Sequence, residues 1–362
     1  MAKPVSQKPI TTRRTSLKLL AEHLKLDPST VSFVLNDVPG RSIPEATRER
    51  VRKAAAEFNY QPSMIARNLQ GKPMQAIAVL LPVLGDGYHS QVLSGVGDRL
   101  MDEGYFYFTV HHRHKADLIK SYPALLQARG IDGVLAIDTH LQEPLPFPTV
   151  LVAGHTELPE VTNIVLDHER GAKLALEHLY GLGHRKIVYM KGQTVSTDTE
   201  QRWEATMRVA RDLGLVVEPR LIMQLAIDST SPEVSYPGIH DMIELHTRFT
   251  AILAFNDVSA MGSVRALRDA GLRVPEDVSV VGFDDIQSAS FHVPRLTTVR
   301  QPLQAMGRAG ADALLNKLAG KTLPHIIQVE PELIVRESTG PRHGHRLGAS
   351  KRSKRLASVA TK

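Results

Sequence analysis

At 362 residues, with 42% hydrophobic and 23% charged positions, the chain has an ordinary globular composition and more length than one core usually organises. It has no cysteine, which excludes disulfides and thiolate metal sites. No apolar run approaches the ~18 residues of a membrane span, so no membrane partner is expected. Charge is uneven. Residues 1–72 carry +7, residues 340–362 another +7 and the middle −8, for a net charge of +6. Two basic ends around an acidic body suggest that the ends meet a polyanion. The start, MAKPVSQKPITTRRTS, is basic and polar with no apolar core behind it. A secretory signal is therefore not expected, and the cytoplasm is the expected compartment.

Leu17, Leu20, Ala21 and Leu24 follow the i, i+3, i+4, i+7 spacing of an amphipathic helix, with Ser16 or Thr15 placed to cap it. After Lys25-Leu26, Asp27-Pro28 opens a second helix over 28–35, since Asp is a favoured N-cap and Pro is tolerated at the first helical position. Val31, Val34 and Leu35 make its inner stripe and leave Ser29, Phe33 and Asn36 on the opposite side. A third helix opens at Pro44-Glu45, with Val51, Ala54, Ala55 and Phe58 inward. Two short helices around a tight turn, the second showing small polar groups outward, predict a helix-turn-helix with its recognition helix. Phe33 has two readings. In a major groove it packs on thymine methyls; alternatively it folds onto the adjacent loop at Val38 or Ile43.

Residues 62–70, PSMIARNLQ, are too short to hold a helix alone in water. Ser63 is placed to cap such a helix, Ile65 and Leu69 share a face, and Arg67 is placed to meet a phosphate; a plain linker is the alternative.

From Gln75 onward short apolar strands alternate with amphipathic helices. Strands are expected at Ala76–Leu81, Tyr105–Val110, Val134–Ile137, Val150–Val152, Ile187–Met190, Ala251–Ala254 and Val278–Val281. Helices are expected at Tyr88–Met101, 116–128, 169–182, 200–212 and 258–270. Near-continuous Val/Ile/Leu strands predict parallel, doubly wound sheets. The units are too many for one small sheet, so residues 73–339 are expected to form two lobes with a crossover near 155–165. Such folds bind ligands beyond the carboxyl ends of their strands.

Nothing reads as catalytic. Gly95-Val96-Gly97 falls inside a predicted helix and lacks the third glycine of a dinucleotide loop, and no nucleophile elbow, HExxH or P-loop is present. His111, His112 and His114 end a strand without a carboxylate or cysteine nearby, so no metal site and no cofactor are expected. Residues 340–362, rich in Gly, Ser, Lys and Arg, read as a disordered basic tail without leucine heptads.

The run SLKLLAEHLKLDPSTVSFVLND, followed by IPEATRERVRKAAAEFNYQPSMIARNLQGK, resembles the head and hinge of the lactose-repressor/galactose-repressor family of bacterial regulators. LDHERGAKLALEHLYGLGHRKIVYMKG, TAILAFNDVSAMGSVRALRDAGLRVPEDVSVVGFDD and PRLTTVRQPLQAMG resemble its effector domain, related to periplasmic sugar-binding proteins. The resemblance implies a basic arm (1–14), an all-α helix-turn-helix head (15–61), a hinge (62–72) and a two-lobed α/β body (73–339). It implies a homodimeric repressor that binds operator DNA and answers to a sugar-like effector, with no enzymatic activity. The implied DNA contacts are Ser29, Thr30, Ser32, Phe33, Asn36, Arg67 and Leu69, the last wedged into a minor-groove step by paired hinges. The implied effector contacts are Tyr88, Arg202, Asn256 and Asp284. Bland alternatives exist: Arg202 pairs with Glu200 or Glu204, and Asn256 and Asp284 cap the following helices.

The chain departs from the family pattern at four places. Lys25 stands at the usual turn glycine, and Phe33 stands where an arginine often reads guanine. Val152-Ala153-Gly154 lacks a common aspartate, and no aromatic platform is evident around Ser229. The effector is thus not expected to be one of the common sugars. The alternative readings are a sugar-binding module without specific DNA binding, and an enzyme on the same scaffold.

Overall fold

The computed structural model describes residues 15–38, 40–60, 73–85, 87–226 and 231–342. The chain divides into two compact units, Met1–Met74 and Gln75–Lys362. The arm 1–14, the expected hinge with Arg67 and Leu69, the segment around Ser229 and residues 343–362 lie outside the described residues.

The first unit holds α1 (Leu17–Leu24), α2 (Pro28–Leu35) and α3 (Glu45–Glu57). Helices of eight residues are unstable alone, so their order comes from packing. Leu20, Ala21, Leu24, Val31, Val34, Val51 and Ala54 are buried together, with Leu35, Ala55 and Phe58 half-buried at the edge. Ser16 caps α1, its hydroxyl accepting from the Leu19 N–H at 3.2 Å. Asp27 caps α2, accepting from the Ser29 N–H at 2.8 Å. Lys25 ends α1 in the left-handed region, φ 55°. The turn thus keeps a glycine-like backbone conformation without glycine, at a conformational cost of about 1 kcal/mol.

The second unit begins with a lobe of β1 (Ala76–Leu81), α4 (Tyr88–Asp102), β2 (Phe106–His111), α5 (Ala116–Gln127), β3 (Gly133–Ile137), β4 (Thr149–Val152) and β5 (Thr162–Leu166). A second lobe follows, with α6 (His168–Gly181), β6 (Ile187–Lys191), α7 (Thr199–Asp212), β7 (Ile222–Gln224) and α8 (Tyr236–Glu244). It continues through β8 (Ala251–Leu253), α9 (Asp257–Asp269), β9 (Ser279–Asp284), α10 (Gln287–Phe291) and β10 (Thr297–Arg300). The chain then returns to the first lobe with α11 (Leu303–Leu318) and β11 (Ile326–Val329), and closes on the second with β12 (Glu332–Ile334). The sheet orders are β11-β5-β4-β3-β1-β2 and β12-β10-β9-β8-β6-β7. Every pairing is parallel except β10 with β12.

A single crossover near 155–165 is corrected by this topology. β5 occupies 162–166 within the first sheet, so the chain first crosses after Leu166, and it crosses again before α11 and between β11 and β12. β5 opens on two polar residues, Thr162 and Asn163. Both are buried and meet the returning chain: Thr162 donates to the Pro324 carbonyl at 3.1 Å, and Asn163 donates to the Thr156 carbonyl at 3.0 Å and to that of His325 at 3.3 Å. Residues 340–342, expected in the tail, are tied to the body: His184 bonds the Gly340 carbonyl at 3.0 Å, and the Arg342 N–H donates to the Leu182 carbonyl at 2.9 Å.

In the first lobe α4 and α11 pack closely enough that backbone meets backbone. A Cβ at Gly307 would be driven into the Val92 carbonyl, and one at Gly95 into the Gln304 carbonyl. Gly307→Ala is expected to destabilise by about 1–3 kcal/mol, because overpacking against backbone outweighs the ~1 kcal/mol that alanine gains in helix propensity. Calorimetry of the full chain should show a lowered transition. An unchanged or raised one would mean that the helices separate freely.

Candidate functional site

The outward side of α2 carries hydroxyls, an amide and one ring. Ser29 and Asn36 are exposed, and Thr30, Ser32 and Phe33 are half-buried. The segment Pro28–Leu35 has no charged residue, so a polyanion would be held from flanking segments. Two of the polar groups are already occupied: Ser29 donates its hydroxyl to Asp27 at 2.6 Å, and Asn36 donates to the Ser32 carbonyl at 2.8 Å. Phe33 lies under the Arg41 guanidinium, 4.5 Å from ring centroid to carbon. A loop residue does cover the ring, and it is a cation.

In the second unit, the carboxyl ends of the strands line a cleft between the lobes. Tyr88, His89 and Asp138 enter it from the first lobe, and Asp198, Arg202, Phe255, Asn256 and Asp284 from the second. All four carried-over residues are thus brought to one cavity.

Arg202, on α7, is 7% exposed. It donates to the Phe255 carbonyl at 2.7 Å and to Asp198 at 3.1 Å, between the rings of Phe283 (3.9 Å) and Phe255 (4.6 Å). Pairing with Glu200 or Glu204 is not what the structure contains: Glu200 binds Lys191 at 2.8 Å and Glu204 approaches Arg208 at 3.8 Å. Helical geometry explains this. Residues two apart point away from each other, whereas Asp198, four before Arg202, shares its face.

Burial would raise the Asp198 carboxyl, but the imidazoles of His168 and His155 and the Arg202 guanidinium outweigh it and hold it well below the usual range. Burial raises the Asp284 carboxyl to about 7, against the pull of Arg202 and a 2.6 Å bond from Gln301. Asn256 caps α9, its oxygen accepting from the Ser259 N–H at 2.9 Å. The capping alternative therefore describes Asn256, while Asp284 is bonded to Gln301 instead.

Several groups in the cleft were not singled out from the sequence. Asp138 accepts from the Thr197 N–H at 2.7 Å and hydroxyl at 2.8 Å, so the first lobe grips the loop before α7. His155 of the first lobe reaches Asp198 of the second at 2.8 Å, and His168 reaches the same oxygen at 3.2 Å. Their signals were present but weak: Asp138 follows β3 directly, and Asp198 stands four before Arg202. The histidine cluster at the end of β2 has another role. His112 is buried, with Nδ1 accepting from the His114 N–H at 3.1 Å and Nε2 against Thr139 at 2.9 Å. Burial lowers its pKa to about 4, so it is a neutral core residue.

Two buried polar atoms of the cleft, the Tyr88 hydroxyl and Arg202 Nε, have no hydrogen-bond partner among the described residues, while His89 Nε2 faces the Asp138 carboxylate at 3.6 Å. Each such group costs about 1–3 kcal/mol unless something meets it. A ligand with several hydroxyls or carbonyls would do so.

A helix-turn-helix head followed by a two-lobed binding body defines a ligand-sensing DNA-binding regulator, and the comparisons agree. The family model described as bacterial regulatory proteins, lacI family, matches residues 26–63, and a periplasmic binding protein-like domain matches residues 176–339. The HTH-type transcriptional repressor PurR of Aliivibrio salmonicida (strain LFI1238) is 29% identical over 332 residues, 89% of this chain and 98% of that protein. The lac repressor dimer bound to operator and the anti-inducer ONPF is similar with a TM-score of 0.81 at 26% identity, covering 91% of this chain and 100% of that one. A transcriptional regulator CelR–cellobiose complex is similar with a TM-score of 0.67 at 26% identity, covering 90% and 100%. Along both head and body the chain thus resembles the lactose-repressor/galactose-repressor family of bacterial transcriptional regulators.

Proposed function

We propose that this repressor acts as a homodimer in the cytoplasm, reading a pseudo-palindromic operator with two copies of α2 and releasing or gripping it as the cleft binds a neutral, polyhydroxylated effector. One observation carries the reading: a single chain joins a helix-turn-helix to a two-lobed cleft in which the Tyr88 hydroxyl and Arg202 Nε have no hydrogen-bond partner. Among the described residues no helix is long and apolar enough to cross a membrane. In this reading Ser29, Thr30, Ser32, Phe33 and Asn36 face base edges, Arg67 meets a phosphate and Leu69 wedges the central step.

Phe33 sits under Arg41, a contact worth about 0.5–1 kcal/mol at an exposed site. Packing on a base is worth more, about 1–3 kcal/mol of discrimination. Phe33→Ala is therefore expected to relax base preference at one or two positions per half-site. An unaltered motif selected at unaltered affinity would assign the ring to the loop.

The effector class follows from charge. Asp138 and Asp198 are buried in the cleft and Asp198 already pairs with its one arginine, Arg202, so a phosphate or carboxylate would enter against like charge. A thermal-shift screen of the full chain should favour neutral polyols over their phosphorylated or acidic counterparts. Tighter binding of the anionic member of such a pair would overturn the assignment.

A further inference from the structure

At the edge of the cleft, sharing Asp198 with its lining, lies a second constellation. His155 Nε2 and His168 Nε2 converge on one oxygen of Asp198, at 2.8 and 3.2 Å, and the three ligand atoms lie within 4.8 Å of one another. The three residues come from separate segments: the loop after β4, the start of α6 and the residue before α7. No local motif marks them in the sequence.

We propose that His155, His168 and Asp198 form a binding site for a divalent first-row transition ion of the zinc class, which ties the first lobe to the second. Two imidazoles and one carboxylate are the donor set of such ions, whereas magnesium and calcium take oxygen ligands. The set leaves a coordination position for water or an effector atom, as in open zinc sites. The other oxygen of Asp198 is held by Arg202 at 3.1 Å, so the carboxylate is oriented from behind as metal-bound carboxylates commonly are. Charge also fits. Arg202 is the guanidinium beside the buried carboxyls of Asp138 and Asp198, so an added cation meets more than one carboxylate. His155 belongs to the first lobe and the other two ligands to the second, so occupancy favours the closed cleft. The site does not depend on what effector the cleft takes.

The test uses the metal alone on the full chain. Zinc titration by calorimetry should show one tight equivalent per chain and raise the thermal transition, and cobalt should give visible d–d absorption. His155→Gln keeps an N–H to reach Asp198 but supplies no imidazole. It should bind zinc at least about 100-fold more weakly, lose the cobalt absorption and lose the thermal shift, with Trp203 fluorescence reporting an intact fold. His343→Ala with His345→Ala, which removes a histidine pair close in sequence, should leave all three readouts in place. The proposal is overturned if the parent binds no zinc, or if His155→Gln keeps the parent's stoichiometry and affinity. It is equally overturned if the tail variant alone abolishes binding. Should His155→Gln fail to fold, His168→Gln carries the same comparison from the second lobe.

Discussion

Arg202→Ala is expected to destabilise the body by about 3–5 kcal/mol, because it leaves Asp198 buried without its guanidinium. The two side chains are 7% and 5% exposed, so neither can recover solvation by turning outward. The same change removes a donor to the Phe255 carbonyl and empties the space between Phe255 and Phe283. Trp203, the single tryptophan, is the next residue on α7, so its fluorescence follows unfolding of this lobe directly. A paired variant separates charge from packing. Arg202→Met with Asp198→Leu should recover only part of the loss: a buried pair replaced by apolar groups of similar volume is often close to neutral, but His155 and His168 lose their shared acceptor. Arg202→Ala within 1 kcal/mol of the parent would show that Asp198 is held by the two histidines alone.

The elements most legible in the sequence were those whose signal is local. Ser16 and Asp27 cap helices where side-chain chemistry demanded it, and the stripe of Leu20, Ala21 and Leu24 is buried as its spacing required. The strands of Val, Ile and Leu from Ala76 to Val281 were readable because a parallel sheet covered on both faces needs no polar alternation. What escaped was set by distant partners. β5 is polar at Thr162 and Asn163 because its edges meet the returning chain, more than 150 residues on. α11 looks like any amphipathic helix; that it returns to the first lobe depends on Gly95 and Gly307, each meaningless without the other.

The cleft divides in the same way. Tyr88, Arg202, Asn256 and Asp284 were found through family resemblance, and all four line it. His155, His168 and Asp198 carry no motif, because their spacing is set by three segments meeting in space. Arg202 illustrates the limit from within: its neighbours Glu200 and Glu204 were the obvious partners on paper, and helical geometry selected Asp198.

The central claim is sequence-specific recognition of DNA by the head. Selecting duplexes from a random pool with the full chain supplies the operator, and the decisive quantity is the ratio of its dissociation constant to that of a scrambled duplex at one fixed salt concentration. α2 has no charged residue, so phosphate attraction from the flanking basic segments supplies non-specific binding only. Discrimination has to come from Ser29, Thr30, Ser32, Phe33 and Asn36 at base edges, and from the deformability of the central step. The ratio should be about 10³ or more, for a motif with two-fold symmetry, and a bound effector should change it. Equal affinity for the selected and scrambled duplexes, with no symmetric motif in the pool, would contradict the account.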